Sequence, residues 1–224
     1  FNCYMYAPKD DFYHRHQWKT PYPEQILNKI QHYIQLCNEK GIRFIFSLGP
    51  GLTMDYGSDE HLNLVLEKYR QIFKAGCTSF ALLFDDIPPT MPAQAKIKYS
   101  SLAHAHAEVA NKVYETLQSW DEQSVLFFCP TEYCADFTSK GVIESRYLKE
   151  IGEKLHQDVH VFWTGSRIIS KSITESELDT LSQVIQRKPV LWDNFHANDY
   201  DVRRVYFGPL MNREPSIIDK IEGY

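Results

Sequence analysis

Apolar residues along the chain form short, nearly continuous runs that alternate with longer amphipathic stretches. The short runs are rich in β-branched and aromatic residues, as is typical of strands buried on both faces, and they span residues 2–7, 43–48, 79–84, 124–129, 159–164 and 189–192. In the longer stretches apolar residues recur at spacings of three and four, which predicts helices over residues 23–40, 59–75, 95–120, 144–155 and 174–186. A capping box formed by Thr174 and Glu177 marks the start of the last helix.

This alternation predicts right-handed βαβ units and a parallel sheet. Two architectures then compete: a doubly wound open sheet and a (β/α)8 barrel. A doubly wound nucleotide-binding fold is expected to open with a glycine-rich phosphate loop, which the chain lacks. Polar residues follow nearly every predicted strand, and in a barrel all these strand ends meet at one rim, where active sites lie. We therefore predict an α/β fold, a (β/α)8 TIM barrel of which about six strand–helix units are present, in one domain.

Composition and charge narrow the classes of function. The 224 residues are 43% hydrophobic and 24% charged, which is typical of a folded globular domain. The formal net charge is −5, so no chain-wide positive field is available to hold nucleic acid or an acidic membrane surface. The five cysteines include no Cys-x-x-Cys pair, which argues against a zinc site or a disulfide framework. The chain also has no Asn-x-Ser/Thr glycosylation acceptor. Together these two features favour a reducing, intracellular setting.

Two adjacent aspartates, Asp85 and Asp86, are the sharpest chemical feature. They end an apolar strand, where a barrel strand reaches the active-site rim. Two nearby carboxylates repel each other, so the pKa of one rises and the pair can consist of one acid and one anion. The alternatives are a helix N-cap beside a solvated aspartate, or a divalent-metal site, which would need further carboxylate or histidine ligands.

Aromatic and amide side chains at and beyond the end of the last predicted strand indicate a sugar site. Trp192 could cover the apolar face of a pyranose, while Asn194 and Asp199 could bond its hydroxyl groups. Lys9 and Tyr133, which follow two other strands, could donate to substrate oxygens. The structural alternatives are a polar capped turn for the last cluster, a local ion pair for Lys9 and a core position for the Tyr133 ring.

Four segments resemble the catalytic domain of glycoside hydrolase family 84, the O-GlcNAcase family, and most closely its animal members. They are residues 4–11 (YMYAPKDD), 79–87 (SFALLFDDI), 128–134 (FCPTEYC) and 192–200 (WDNFHANDY). The resemblance extends over the whole chain. It implies a (β/α)8 barrel that removes β-linked N-acetylglucosamine from Ser and Thr of nuclear and cytoplasmic proteins, with no cofactor and no metal.

The resemblance also implies a role for each candidate residue. The family retains anomeric configuration through the 2-acetamido oxygen of the substrate, without a protein nucleophile, as an exception to the usual two-carboxylate scheme. Asp85 would orient the acetamido N–H, and Asp86 would serve as general acid and then as general base. Tyr133 would bond near the acetamido oxygen and Trp192 would wall the acetamido pocket. The sugar and its hydroxyl groups would be held by Lys9, Asn194 and Asp199.

Some family features lie outside these residues. The resemblance places the first barrel strand before Phe1 and the last strand, with a sugar-binding asparagine, after Tyr224, so residues 1–224 are expected to form a single catalytic barrel domain that is incomplete at both ends. The strands over residues 2–7 and 189–192 would then each lack a partner on one side. The family's stalk, through which a homodimer would form, is also outside. Two alternatives stay open: a secreted hexosaminidase or hyaluronidase-like relative, and a non-catalytic N-acetylglucosamine-binding module.

Overall fold

Six parallel strands pair in the order in which they occur along the chain. The computed structural model describes residues 2–8, 10–199, 201 and 203–224. Each strand hydrogen-bonds to the next, as when Tyr6 pairs with Phe46 and Phe46 with Phe80. The strand order never reverses along the sheet, as expected for a barrel, whereas the strand order of a doubly wound fold reverses at its switch point. The strands are β1 (Cys3–Tyr6), β2 (Arg43–Leu48), β3 (Ser79–Leu83), β4 (Val125–Cys129), β5 (His160–Trp163) and β6 (Val190–Leu191).

Helices connect the strands and cover the outer face of the sheet. They are α1 (Glu24–Glu39), α2 (Asp59–Lys74), α3 (Ala93–Lys98), α4 (Leu102–Trp120), α5 (Arg146–Lys154) and α6 (Glu175–Ile185). The capping box of α6 is confirmed, because Thr174 and Glu177 each bond the backbone of the other. In the part of the chain that the structure describes, no helix is long and apolar enough to cross a membrane.

The prediction of one helix over residues 95–120 is wrong, because α3 and α4 are separate helices. The backbone of Tyr99 is extended at the end of α3, and Ser101 is extended before α4. The Ser101 side chain accepts a hydrogen bond from the backbone N–H of His104, 3.0 Å away, and so caps α4. The apolar spacing continues across this break, so periodicity alone did not indicate it.

Alternating side chains of the strands divide between two apolar layers. In β2, Phe44, Phe46 and Leu48 pack toward the helices, whereas Ile45 belongs to a second cluster on the inner face. That separation follows from the two-residue period of a strand. The inner cluster also contains Ala81, Leu83, Cys129, Tyr133, Cys134, Phe162 and Val190. The sheet therefore curls around an apolar interior, as a partial barrel, and the predicted fold class is confirmed.

The outer edge of β6 is partly paired. The backbone N–H of Leu191 donates to the Gly223 carbonyl at 2.9 Å, and that of Glu222 donates to the Pro189 carbonyl at 2.9 Å. The expectation that residues 189–192 lack a partner on their outer side is therefore wrong at this point, where a further parallel bridge joins Val190 to Gly223. Between this edge and β1, the inner face opens into a cavity of about 730 Å³.

Candidate active site

The carboxyl ends of β3, β4, β5 and β6 meet at a cavity of about 160 Å³. Six of the seven predicted site residues line it, although they come from widely separated parts of the sequence. The seventh, Lys9, lies outside the described residues. The lining residues are Asp85, Asp86, Cys129, Tyr133, Thr164, Ile168, Trp192, Asn194, Ala197 and Asp199.

A left-handed turn brings both aspartates to this cavity. The ladder of β3 continues to Phe84, whose backbone N–H donates to the Cys129 carbonyl at 2.9 Å. Asp86 then has a φ of 50°, a conformation that costs an L-residue about 1–2 kcal/mol. Neighbouring strand residues point to opposite faces, so this turn is what allows Asp85 and Asp86 to line the same cavity. Asp85 is half-buried and Asp86 is exposed.

Tyr133 connects the loop after β4 to the carboxylate pair. Its hydroxyl donates to Oδ1 of Asp86 at 2.7 Å, and its side chain is buried. Burial first, and then the hydrogen bond to Asp86, raises the pKa of Tyr133, so the phenol keeps its proton. The loop itself is held in place by Thr131, whose hydroxyl donates to the Phe84 carbonyl at 2.9 Å. The loops after β3 and β4 are therefore one connected unit.

The opposite wall of the cavity comes from the segment after β6. The Trp192 ring packs edge-on against Phe162, with ring centroids 5.1 Å apart. Nδ2 of Asn194 donates to the Ile168 carbonyl at 2.9 Å, which ties the segment to the loop after β5 and fixes the orientation of the amide. Asp199 is exposed and lines the same cavity. An aromatic ring, an amide and a carboxylate thus share one wall.

Asp193 lies between two cavity residues, but its side chain serves the fold. Nε and Nη2 of Arg213 donate to its two oxygens, each at 2.7 Å, and the side chains are only 2% and 5% exposed. Burial acts to raise the pKa of Asp193, but the hydrogen bonds from Arg213 and Tyr224 outweigh it, so that the pKa is lowered. Sequence reasoning missed this pair, because nothing local links positions 20 residues apart.

Arg15 is a second residue that the sequence did not single out. It lies on the loop between β1 and α1, and its guanidinium contacts the Asp85–Asp86 turn. The contact joins positions 70 residues apart, so no spacing rule could have predicted it.

The candidate site does not contain a cluster of metal ligands. Within the described ranges, no three His, Cys, Asp or Glu side chains are grouped so that they could hold a metal ion. All five cysteines are free. Cys129 lines the cavity, and burial, followed by the charges of Asp85 and Asp86, raises its pKa, so it is a neutral thiol.

Comparison with known proteins places the whole chain in one family. A family model described as beta-N-acetylglucosaminidase matches residues 1–224. The chain is 40% identical to Protein O-GlcNAcase from Rattus norvegicus and from Mus musculus, over 99% of its own length and 24% of theirs. It superposes with a TM-score of 0.92, at 33% identity, on a mutant of Thermobaculum terrenum O-GlcNAc hydrolase, covering 99% of this chain and 47% of that one. The chain spans about a quarter of the length of the curated relatives. It belongs to the beta-N-acetylglucosaminidase family.

Proposed function

We propose that the protein is a retaining glycoside hydrolase, an O-GlcNAcase, which removes β-linked N-acetylglucosamine from Ser and Thr of intracellular glycoproteins. Residues 1–224 would be the larger part of its single catalytic barrel domain. One observation carries the proposal: two adjacent carboxylates share a cavity at the strand ends with an aromatic ring, an amide and a phenol. The names of the similar proteins, Protein O-GlcNAcase and O-GlcNAc hydrolase, support the substrate class.

In the proposed first step, the 2-acetamido oxygen of the substrate attacks the anomeric carbon. A bond forms between these atoms as the bond from the anomeric carbon to the Ser or Thr oxygen breaks. Asp86 gives its proton to the leaving oxygen. Asp85 takes the proton from the acetamido nitrogen, so that a neutral oxazoline forms. The side-by-side arrangement of Asp85 and Asp86 supports this division, because one acid and one anion can then act on two neighbouring substituents.

In the second step, water opens the oxazoline. Asp86, now a carboxylate, takes a proton from the water while the water oxygen bonds to the anomeric carbon. The bond from that carbon to the oxazoline oxygen breaks, and the proton on Asp85 returns to the nitrogen, which restores the acetamide. Two displacements at one carbon give net retention.

The other cavity residues would hold the sugar. Tyr133 stays protonated and donates its single O–H to Asp86 in the structure, and with substrate bound it would turn this O–H from Asp86 toward the acetamido oxygen. Trp192 would wall the acetamido pocket, and its edge-on packing against Phe162 supports a fixed ring. Lys9, Asn194 and Asp199 would bind the hydroxyl groups of the sugar.

The setting of the enzyme is also a proposal. Five free cysteines and the lack of Asn-x-Ser/Thr acceptors support a place in the cytoplasm and nucleus. Its partners would be O-GlcNAc-modified proteins rather than nucleic acid or membranes. A homodimer would form through segments outside residues 1–224.

The experiment uses the full-length protein and follows product stereochemistry. O-GlcNAc peptide should release the β-anomer first, as seen by NMR. Aryl N-acetyl-β-glucosaminides should react more slowly as fluorine is added to the acetamido methyl group, because the participating oxygen becomes a weaker nucleophile. Release of the α-anomer, or rates that ignore fluorination, contradicts substrate assistance. Preferred cleavage of hyaluronan oligosaccharides contradicts the O-GlcNAc substrate, and sugar binding without any hydrolysis identifies a binding module.

A further inference from the structure

The Arg15 side chain contacts the turn after β3 that carries Asp85 and Asp86. Its Nη2 atom donates to the Asp86 carbonyl at 3.2 Å and approaches the Asp85 carbonyl at 3.5 Å. Its Nη1 atom lies 3.9 Å from Oδ2 of Asp85, and both side chains are 22% exposed. One guanidinium therefore contacts two backbone carbonyls and one carboxylate of the same turn.

The base of Arg15 is anchored to the end of β2. The backbone N–H of Gly49 donates to the carbonyl of His14 at 3.0 Å. The His14 ring donates from Nδ1 to the Ser47 carbonyl at 2.9 Å, which requires that Nδ1 carries the hydrogen. His14 is buried, and burial lowers its pKa, so this side chain is neutral and its hydrogen bond persists at neutral pH. The guanidinium thus projects from a fixed point.

The turn needs such a restraint because of its backbone conformation. The φ of 50° at Asp86 is unfavourable for a residue with a Cβ atom, and such conformations persist where surrounding contacts determine them. Two carbonyls that both face one guanidinium nitrogen are a contact of this kind. A planar guanidinium can bridge several acceptors, whereas a lysine ammonium acts as a single point charge.

We propose that Arg15 is a positioning residue for the acid–base pair. It would hold the turn in the conformation that brings both carboxylates to the cavity, and its charge would favour the ionised form of Asp85. The other titratable groups around Asp85 are Asp86 on the same turn, Tyr133 and Cys129 from β4 and its loop, and Asp199 across the cavity. This inference rests on the proposed function, because it assigns an anionic role to Asp85.

The test compares R15M and R15K in the full-length protein, with R70M as the matched control. Arg70 is an exposed arginine on α2 that stacks over Trp120, and it does not line the cavity of the candidate site. Each variant is assayed on two aryl N-acetyl-β-glucosaminides, one with a good and one with a poor leaving group, across the acidic limb of the pH profile of kcat/KM. Thermal midpoints report folding.

R15M should lose about 10–100-fold in kcat/KM on both substrates, because the turn that Arg15 restrains carries both carboxylates and a small misplacement of reacting groups is costly. Its acidic limb should move to higher pH by about 0.5–1 unit, since a neighbouring positive charge no longer favours the carboxylate. R15K keeps the charge, so its limb should stay in place while its rate falls. R70M should have the wild-type kcat/KM and the wild-type pH profile.

An R15M variant with wild-type rate and wild-type limb overturns the inference. If kcat/KM of R15M falls but the acidic limb of its pH profile does not move, Arg15 does not favour the ionised form of Asp85 and has only a structural role. If the thermal midpoint shows that R15M does not fold, R15K decides, and wild-type activity in R15K overturns the positioning role. D85N separates the two hypotheses: an active D85N contradicts the proposed function, whereas an inactive D85N beside a wild-type-like R15M contradicts the role of Arg15 alone.

Discussion

Asp85 and Asp86 are neighbours in sequence with different surroundings, and this difference predicts different kinetic defects. Asp86 accepts from Tyr133, whereas Asp85 lies beside Arg15. D86N should slow substrates with poor leaving groups most, because these need protonation, and D85N should slow all substrates, because it weakens acetamido participation. Each loss should be about 10²–10⁴-fold.

The measurement for this prediction is kcat/KM against leaving-group pKa for both variants. D59N is a suitable control, because Asp59 is an exposed residue on α2 that bonds only Lys98 in the structure as described. Equal losses in D86N for activated and unactivated leaving groups would remove Asp86 from the acid role.

His106 is a buried neutral residue behind the site, and it predicts acid sensitivity. It is fully buried, which lowers its pKa to about 3. Its Nδ1 atom accepts from the Tyr147 hydroxyl at 2.8 Å, and that hydroxyl accepts from the backbone N–H of Thr131 at 3.1 Å. Among the described residues, its Nε2 atom has no hydrogen-bond partner. The loop that carries Tyr133 is therefore connected through Tyr147 to His106, whose Nδ1 atom can accept this hydrogen bond only while the imidazole is neutral.

The sign of the pH effect follows from this lowered pKa. Between pH 6.5 and about 3 the unfolded chain binds a proton at His106 that the folded chain does not, so stability falls as pH falls through this window. The loss is about 1.4 kcal/mol per pH unit. H106N keeps an acceptor for Tyr147 without a titrating ring, so the fall in thermal midpoint from pH 7 to pH 5 should be smaller in this variant than in the wild type. An equal fall in both proteins contradicts the role of His106.

Sequence reasoning found six of the ten residues that line the cavity, but not Arg15 and Arg213, which support two of the segments around it. Asp85 and Asp86 come at the end of an apolar strand, and this position indicated them, whereas Trp192 was indicated by the aromatic and amide residues that follow it. Arg15 and Arg213 act through contacts with residues distant in sequence, and their local sequence does not differ from that of a solvated loop. Long-range partners of this kind become visible only when the fold brings their loops together.

At the level of elements, α5 and α6 meet at a glycine whose replacement has a predictable cost. A Cβ atom at Gly152 would lie 2.5 Å from the Val184 carbonyl and 2.9 Å from Cα of Ile185. Both contacts are with backbone, so the helices must move apart to accept a methyl group. G152A should therefore destabilise the protein by about 1–3 kcal/mol, despite the better helix propensity of alanine.

The check is the thermal midpoint of G152A beside that of K149A, which changes an exposed position on the same helix. K149A should lie near the wild type. A G152A protein as stable as K149A would show that the α5–α6 contact can relax without loss.

Element types were predictable here, and element ends were less so. Strand and helix alternation follows from apolar periodicity, which buried parallel strands and amphipathic helices enforce. The break between α3 and α4 depends on one serine cap, and β6 is reduced to Val190–Leu191 within a longer apolar run. Local hydrogen bonds decide such ends, and the hydrophobic pattern does not record them.

At the scale of the whole molecule, the proposed chemistry uses protons and an amide and needs no metal ion. The full-length enzyme should therefore keep its activity after dialysis against EDTA. The measurement is kcat/KM before and after chelation, with Mg²⁺, Mn²⁺ or Zn²⁺ added back. Loss of activity that one of these ions restores would favour the metal interpretation of Asp85 and Asp86.

The open side of the barrel gives the last prediction. The inner cavity of about 730 Å³ lies between β1 and the segment at Gly223, and its lining includes the apolar residues Met5, Ile45, Phe127, Phe162 and Val190. Burying such surface is the main favourable term in folding, and in the described sheet β1 pairs with β2 alone, so its outer edge can pair with other chains. Residues 1–224 expressed alone should therefore aggregate and lack activity.

Activity should return when the flanking segments are present, covalently or from a co-expressed fragment, because a closed barrel holds its rim residues in place. Size-exclusion chromatography, thermal melting and aryl-glycoside hydrolysis test this on the isolated residues and on the full-length protein. A monomeric, cooperatively melting and fully active 1–224 fragment would contradict it. Such a result would mean that the strand ends of β3 to β6 position the carboxylate pair without a closed barrel, and that the connected β3 and β4 loops, with Arg15 behind them, are sufficient for catalysis.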